Sequence, residues 1–169
     1  MARTGAATSP LSRMTPAQGY CLAAGAVLLL AGILGFVAES SFDVADDLAR
    51  DSFIGFDVNG WHNVVHILSG VVLLAAFPRR ASAKAIAIAF GVVYGLVAII
   101  GLIDGDDVFG LIPVNAADNI LHIALAALGI VAGLASRGDE DVRGARRDDR
   151  IVPEGDRQAA PGERTTTRP

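Results

Sequence analysis

Four long apolar runs, separated by short polar or charged stretches, set the pattern of the chain. Ala17 to Val37 passes 21 residues without a charge, enough for a helix to cross a hydrocarbon core of about 30 Å. Gly60 to Phe77, Ala85 to Ile103 and Ala116 to Ala135 are the other three. The pattern predicts an all-α fold, a four-transmembrane-helix bundle over residues 16–136, with helices at about 17–37, 60–77, 85–103 and 116–135. A cleaved signal peptide competes for the first run, but its apolar part would be only about 7–15 residues long. A cut after Ala38 would also leave bulky Phe36 three residues back, so a retained helix is expected.

The polar stretches bound these runs. Residues 1–15 and 137–169 are small, polar or charged and without periodicity, and read as disordered cytoplasmic tails. Glu39 to Asp57 and Asp104 to Asp118 are acidic loops, the first with Arg50 as its one basic residue. Asp43 is placed to cap a short amphipathic helix in the first loop. Pro78 ends the second run, followed by a basic turn of Arg79, Arg80 and Lys84.

A ten-residue stretch occurs twice. Val58 to Ile67 reads V-N-G-W-H-N-V-V-H-I, and Val114 to Ile123 reads V-N-A-A-D-N-I-L-H-I. The shared frame is V-N-x-x-x-N-x-x-H-I. Each copy stands where an acidic loop turns into an apolar run. Asn59 and Asn115 are N-caps by position, and Asp118 fits the capping-box place three residues after Asn115. Gly25, Val27, Leu30, Ile33 and Gly35 match Gly91, Val93, Leu96, Ile99 and Gly101 in the same way. The chain therefore reads as an internal repeat of two parallel helical hairpins, related by an axis along the membrane normal. Gly91-x-x-x-Gly95 and Gly129-x-x-x-Gly133 are sites for close helix contact.

Charge fixes the expected orientation. Basic residues follow the second and fourth runs, and the other two loops are acidic. The positive-inside rule then puts both termini in the cytoplasm and both motifs at the outer face. The expected location is a bacterial inner membrane. Hydrophobic residues make up 52% of the chain, aromatic residues only 6%, and 19 residues are glycine, as in closely packed membrane helices. Cys21, alone of its kind, lies in an apolar run and reads as a small buried hydrophobe. The lipid bilayer is the expected partner, with a helix-mediated homo-oligomer or another membrane protein as further candidates. Arg79, Arg80 and Lys84 suit anionic headgroups. The charged tail mixes signs and gives no footprint for nucleic acid.

The motif around Pro113 to His122, L-I-P-V-N-A-A-D-N-I-L-H with its leading residues, resembles the domain-of-unknown-function 4383 family. So do the N-x-x-x-N-x-x-H opening of the second helix and the G-V-V-Y of Gly91 to Tyr94. The resemblance covers roughly Ala17 to Ala135. It implies a small actinobacterial membrane protein of four helices and supplies no activity.

The polar residues of the repeat are the candidate site: Asn59, Asn63, His66, Asn115, Asn119 and His122. Inside a bilayer such groups need partners. Interhelical hydrogen bonds that hold the bundle in register are the first reading, with Asn63 meeting His122 and His66 meeting Asn119. The role expected from it is structural or accessory. A metal site is the alternative, with His62, His66, Asp118 and His122 offering three imidazoles and a carboxylate to zinc or copper. His66 and His122 could also be axial ligands to a haem. Small-solute or proton transport is a third class, though no Asp, Glu, Lys or Arg lies deep in a span. No Gly-x-Ser-x-Gly, phosphate loop or Cys–His pairing is present, so no catalytic residues are assigned.

Overall fold

In a computed structural model of the protein, the described residues are 14–137. The expected tails lie outside them, apart from their inner ends. Four helices make the frame: α1 (Pro16–Ala38), α2 (Gly60–Ala76), α3 (Arg80–Asp104) and α4 (Ala116–Ala135). α1, α3 and α4 are long and apolar enough to cross a membrane, and α2 is a shorter apolar helix of 17 residues. Their outward residues are apolar along the whole length, for example Val27, Leu30, Leu102, Ile120 and Leu134. A bundle that is apolar outside as well as inside is built for lipid, and the chain is a membrane protein of the all-α class.

Local chemistry explains the helix ends. Thr15 and Gln18 form a capping box on α1, with Pro16 at the first helical position, so the expected N-terminal tail stops short of Thr15. Asn59 caps α2 by accepting from the His62 amide. Asn115 caps α4, and Asp118 completes a capping box with it. α3 begins at Arg80 rather than Ala85. The basic turn is its first turn, because Pro78 restrains the residue before it and leaves those after Arg79 free to wind.

The core is made of small residues. Ala17, Cys21, Ala24, Ala83 and Ala87 are buried together with Tyr20, Leu28, Leu73 and Tyr94. α1 packs chiefly on α2 and α3 chiefly on α4, with lighter contact between the two hairpins. Backbones touch at the glycines. A Cβ added at Gly70 would lie 2.6 Å from the Leu29 nitrogen and 2.7 Å from the Gly25 oxygen. One added at Gly91 would lie 2.7 Å from the Ala126 oxygen. The two hairpins are tied at the end opposite the motifs. The Ala17 amide donates to Ser136 Oγ at 2.8 Å, while Gln18, within the first hairpin, donates to the Phe77 carbonyl at 3.0 Å. Tyr20 reaches across to the Leu125 carbonyl at 3.0 Å.

Both acidic loops contain a β-hairpin that the sequence pattern did not predict. β1 (Asp51–Phe53) pairs antiparallel with β2 (Phe56–Val58), and β3 (Asp107–Val108) with β4 (Ile112–Pro113). Ile54 and Gly55 turn the first with φ of 54° and 89°, the sign pattern of a tight hairpin turn. Asp43 caps no helix. The loop instead forms a single 3-10 turn over Ala45–Asp47, with Val44 at its cap position and no side-chain cap. The loops hold each other through Ala45 N–H to the Gly110 carbonyl at 2.8 Å and an exposed Arg50–Asp106 pair at 3.4 Å.

Candidate functional site

The four asparagines and three histidines of the repeat divide into three groups with different neighbours. The first is a pair of reciprocal links. Asn59 Nδ2 donates to the Leu111 carbonyl at 2.8 Å, and Asn115 Nδ2 donates to the Gly55 carbonyl at 3.0 Å. Each cap residue thus grips the loop of the other half, at the position four residues before the other cap. Asn115 also reaches Asp57 Oδ1 at 3.0 Å. Asp118 Oδ2 accepts from the Asn115 amide at 2.9 Å and the Asp57 amide at 3.0 Å. This side chain therefore closes its own helix and holds the neighbouring hairpin at once. Removing the amide at Asn59 leaves the Leu111 carbonyl without its side-chain donor and the helix cap unmet. Asn59→Ala should therefore lower stability by about 1–3 kcal/mol in thermal or denaturant unfolding. A loss of the same size is expected for Asn115→Ala.

The second group is Asn63 and Asn119, which face inside their own hairpins. Asn63 Nδ2 donates to the Glu39 carbonyl at 2.8 Å, at the end of α1. Its amide oxygen lies against Gly35, and the Asn119 amide oxygen lies against Gly101 at a distance of 2.5 Å from where a Cβ would stand. The expected crossing pairs, Asn63 with His122 and His66 with Asn119, are not formed among the described residues. The reason is angular. At about 100° per residue, Asn63 and His66 point about 60° apart on α2, enough to turn one toward α1 and the other toward the opposite hairpin.

The third group is the histidines. His62, His66 and His122 are all buried, and each presents a ring nitrogen within 4.8 Å of the other two. His62 Nδ1 donates to the Asp57 carbonyl at 2.8 Å. That bond fixes its tautomer and turns the Nε2 lone pair inward, toward His66 Nε2 at 3.1 Å. His66 Nε2 must then carry the proton of that contact. His122 is 4% exposed, and its Nδ1 is buried with no partner. The Tyr94 ring stands edge-on to it at 5.3 Å. Asp118, one turn before His122, is not in the converging set, since its carboxylate is engaged by the two amides.

Ligand bonds of about 2.0–2.1 Å in a tetrahedral site place imidazole nitrogens about 3.3 Å apart. The His62–His66 separation of 3.1 Å already has that value within a few tenths of an ångström, and the His122 ring nitrogen lies within 4.8 Å of both. Sequence reasoning had the three histidines but missed Asp57 and Tyr94 as their supports. The one available signal for Asp57 was its position two residues before the first cap, inside the repeat's flank.

Among protein families, the model of the domain of unknown function DUF4383 matches residues 18–135. No curated protein and no solved structure matches the chain.

Proposed function

The chain belongs to the domain-of-unknown-function 4383 family, whose description carries no activity, and from that premise we propose that it holds a transition-metal ion, zinc or copper, at His62, His66 and His122. The convergence of three buried ring nitrogens within 4.8 Å carries the reading. The donor chemistry supports it: imidazole suits both ions, and the Asp57 carbonyl orients His62 as the outer partner of a metal-bound histidine does. A haem is less well supported. His62 occupies the space beside His66, with ring centroids 4.3 Å apart, where a porphyrin would have to pass.

Register is the second reading, and the asparagines favour it for themselves rather than for the histidines. Asn59, Asn115 and Asp118 already link the two halves, while the three histidine rings converge on one another. The convergence of the imidazoles goes beyond what alignment of the halves requires. Corresponding packing at Gly25–Gly70 and Gly91–Ala126, and at Gly35–Asn63 and Gly101–Asn119, supports reading the hairpins as a repeat. Transport has no comparable support, since no Asp, Glu, Lys or Arg lies deep in a span.

Metal analysis of protein purified from membranes without added chelator tests the proposal. About one ion per chain is expected in the wild type and none in His62→Ala. A metal-free wild type that also fails to take up zinc or copper on dialysis would overturn it.

The same reading places the site at the outer face of a bacterial inner membrane with both termini inside, supported by the Arg79, Arg80 and Lys84 end of the bundle lying opposite the acidic hairpins. Single cysteines at Ser52 and Ala81, with Cys21 replaced, should separate the two faces. An impermeant thiol reagent on intact cells should label the first and not the second; the reverse pattern would invert the topology.

A further inference from the structure

A cavity of about 180 Å³ lies beside the histidines, between α2 and α3. Its inner end is polar. His62, His66 and His122 line it there, and the Tyr94 and Ser69 hydroxyls face each other across 3.3 Å. The rest of its wall is apolar, with Val65, Phe90 and Val93 along it. α2 and α3 touch only lightly, and Val65 and Val93 at the mouth are 40% and 53% exposed. They stand mid-helix on the apolar outside of the bundle, so the mouth opens to lipid rather than to water.

The size and polarity of this space select its occupant. A dry cavity of about 150 Å³ takes a benzene ring, so there is room here for one six-membered ring with small substituents. A lipid acyl chain would fit the mouth but would leave His122 Nδ1, which is buried without a partner, still unmet, a cost of about 1–3 kcal/mol for a buried polar group. A ring that carries an oxygen acceptor meets both ends. Its face packs on the Phe90–Tyr94 pair, whose rings stack at 4.9 Å. Its oxygen takes the Tyr94 O–H or the position that three histidines leave open on a bound ion.

We propose that the cavity binds the head group of a membrane-soluble quinone, with one carbonyl oxygen turned to the histidines and the tail leaving between α2 and α3. The inference rests on the three-histidine site for its polar end, and extends it by naming what approaches from the bilayer.

A short-tailed benzoquinone, and an alkylbenzene with the same tail but no oxygen, are titrated into detergent-solubilised protein and followed by thermal shift, with and without zinc or copper. The quinone should bind the wild type at least tenfold more tightly than the alkylbenzene. Ser69→Leu, which fills the cavity, should weaken it at least tenfold while leaving ion uptake intact, and Tyr94→Phe should weaken it on the order of fivefold, the worth of about one hydrogen bond. Retained ion uptake shows that the Ser69→Leu chain is folded; should it be lost, Ala89→Leu at the mouth serves in its place. Equal binding of both probes, or quinone binding that survives the filled cavity, overturns this inference and leaves the ion site standing. Ion uptake absent from the wild type removes the proposed metal, and quinone binding blocked by Ser69→Leu would then assign the polar end to the imidazole and tyrosine donors alone. A cavity filled instead by a second copy of the chain would give a dimer in solution and no quinone response, which also overturns it.

Discussion

Zinc or copper added to metal-free protein should raise its melting temperature by roughly 5–10 °C at a hundredfold excess over the dissociation constant. Mass action sets the scale: binding to the folded state alone adds about 2.7 kcal/mol at that excess, and a domain of this size moves by roughly 2–4 °C for each kcal/mol. The rise should vanish in His62→Ala, His66→Ala and His122→Ala alike, because three ligands are the whole converging set. Asp118→Asn is the informative contrast. The carboxylate holds the Asn115 and Asp57 amides, so its loss should lower the starting stability while the metal-dependent rise persists. A rise abolished by Asp118→Asn as well would return that residue to the ligand set. No rise in the wild type would leave the histidines as a hydrogen-bonded pair and a bystander.

The second large effect is expected from the glycines at the backbone contacts. Gly70→Leu should prevent the α1–α2 hairpin from forming, since even the first carbon of the new side chain would fall 2.6 Å from the Leu29 nitrogen. Overpacking in a side-chain core costs about 1–3 kcal/mol, and here it is rigid helix backbone that would have to yield. The loss should reach or exceed the upper end, seen as protein that inserts but is degraded or aggregates on solubilisation. Gly91→Leu should do the same to the α3–α4 hairpin. Gly19→Ala is the control: nothing lies within 4 Å of its added Cβ, and helix propensity makes the change neutral or slightly stabilising. Equal tolerance of all three changes would mean that the helices do not approach as closely as the backbone distances state.

The helices were legible because a run without charge is a strong signal in any register, and α4 began and ended where its Asn cap and the first polar residue after Ala135 said it would. α3 starts five residues before the apolar run, because the charged Arg80 and Lys84 of its first turn look like a basic turn in the hydropathy pattern. The β-hairpins were not legible. Strands of two or three residues have no periodicity to detect, and they are held by contacts between loops far apart in sequence. Of the site, the spacing of Asn63 and His66 puts them about 60° apart on α2, on one broad side of the helix. It could not tell which neighbour each would meet, because one side of a helix is wide enough to face two. Nor could it foresee that Asp118, a ligand candidate by its spacing from His122, would be engaged by an amide 61 residues away.

The uneven packing of the bundle has a consequence for biosynthesis. Each hairpin has its close contacts within itself, so the first can enter the membrane and settle while the second is still being made. The grip of Asn59 on Leu111 and of Asn115 on Gly55 can close only when both have arrived. His122 meets His62 and His66 at the same moment. The three-histidine cluster is therefore a late product of assembly, absent from any half-made chain, and a nascent first hairpin waiting in the bilayer carries only His62 and His66 of the three.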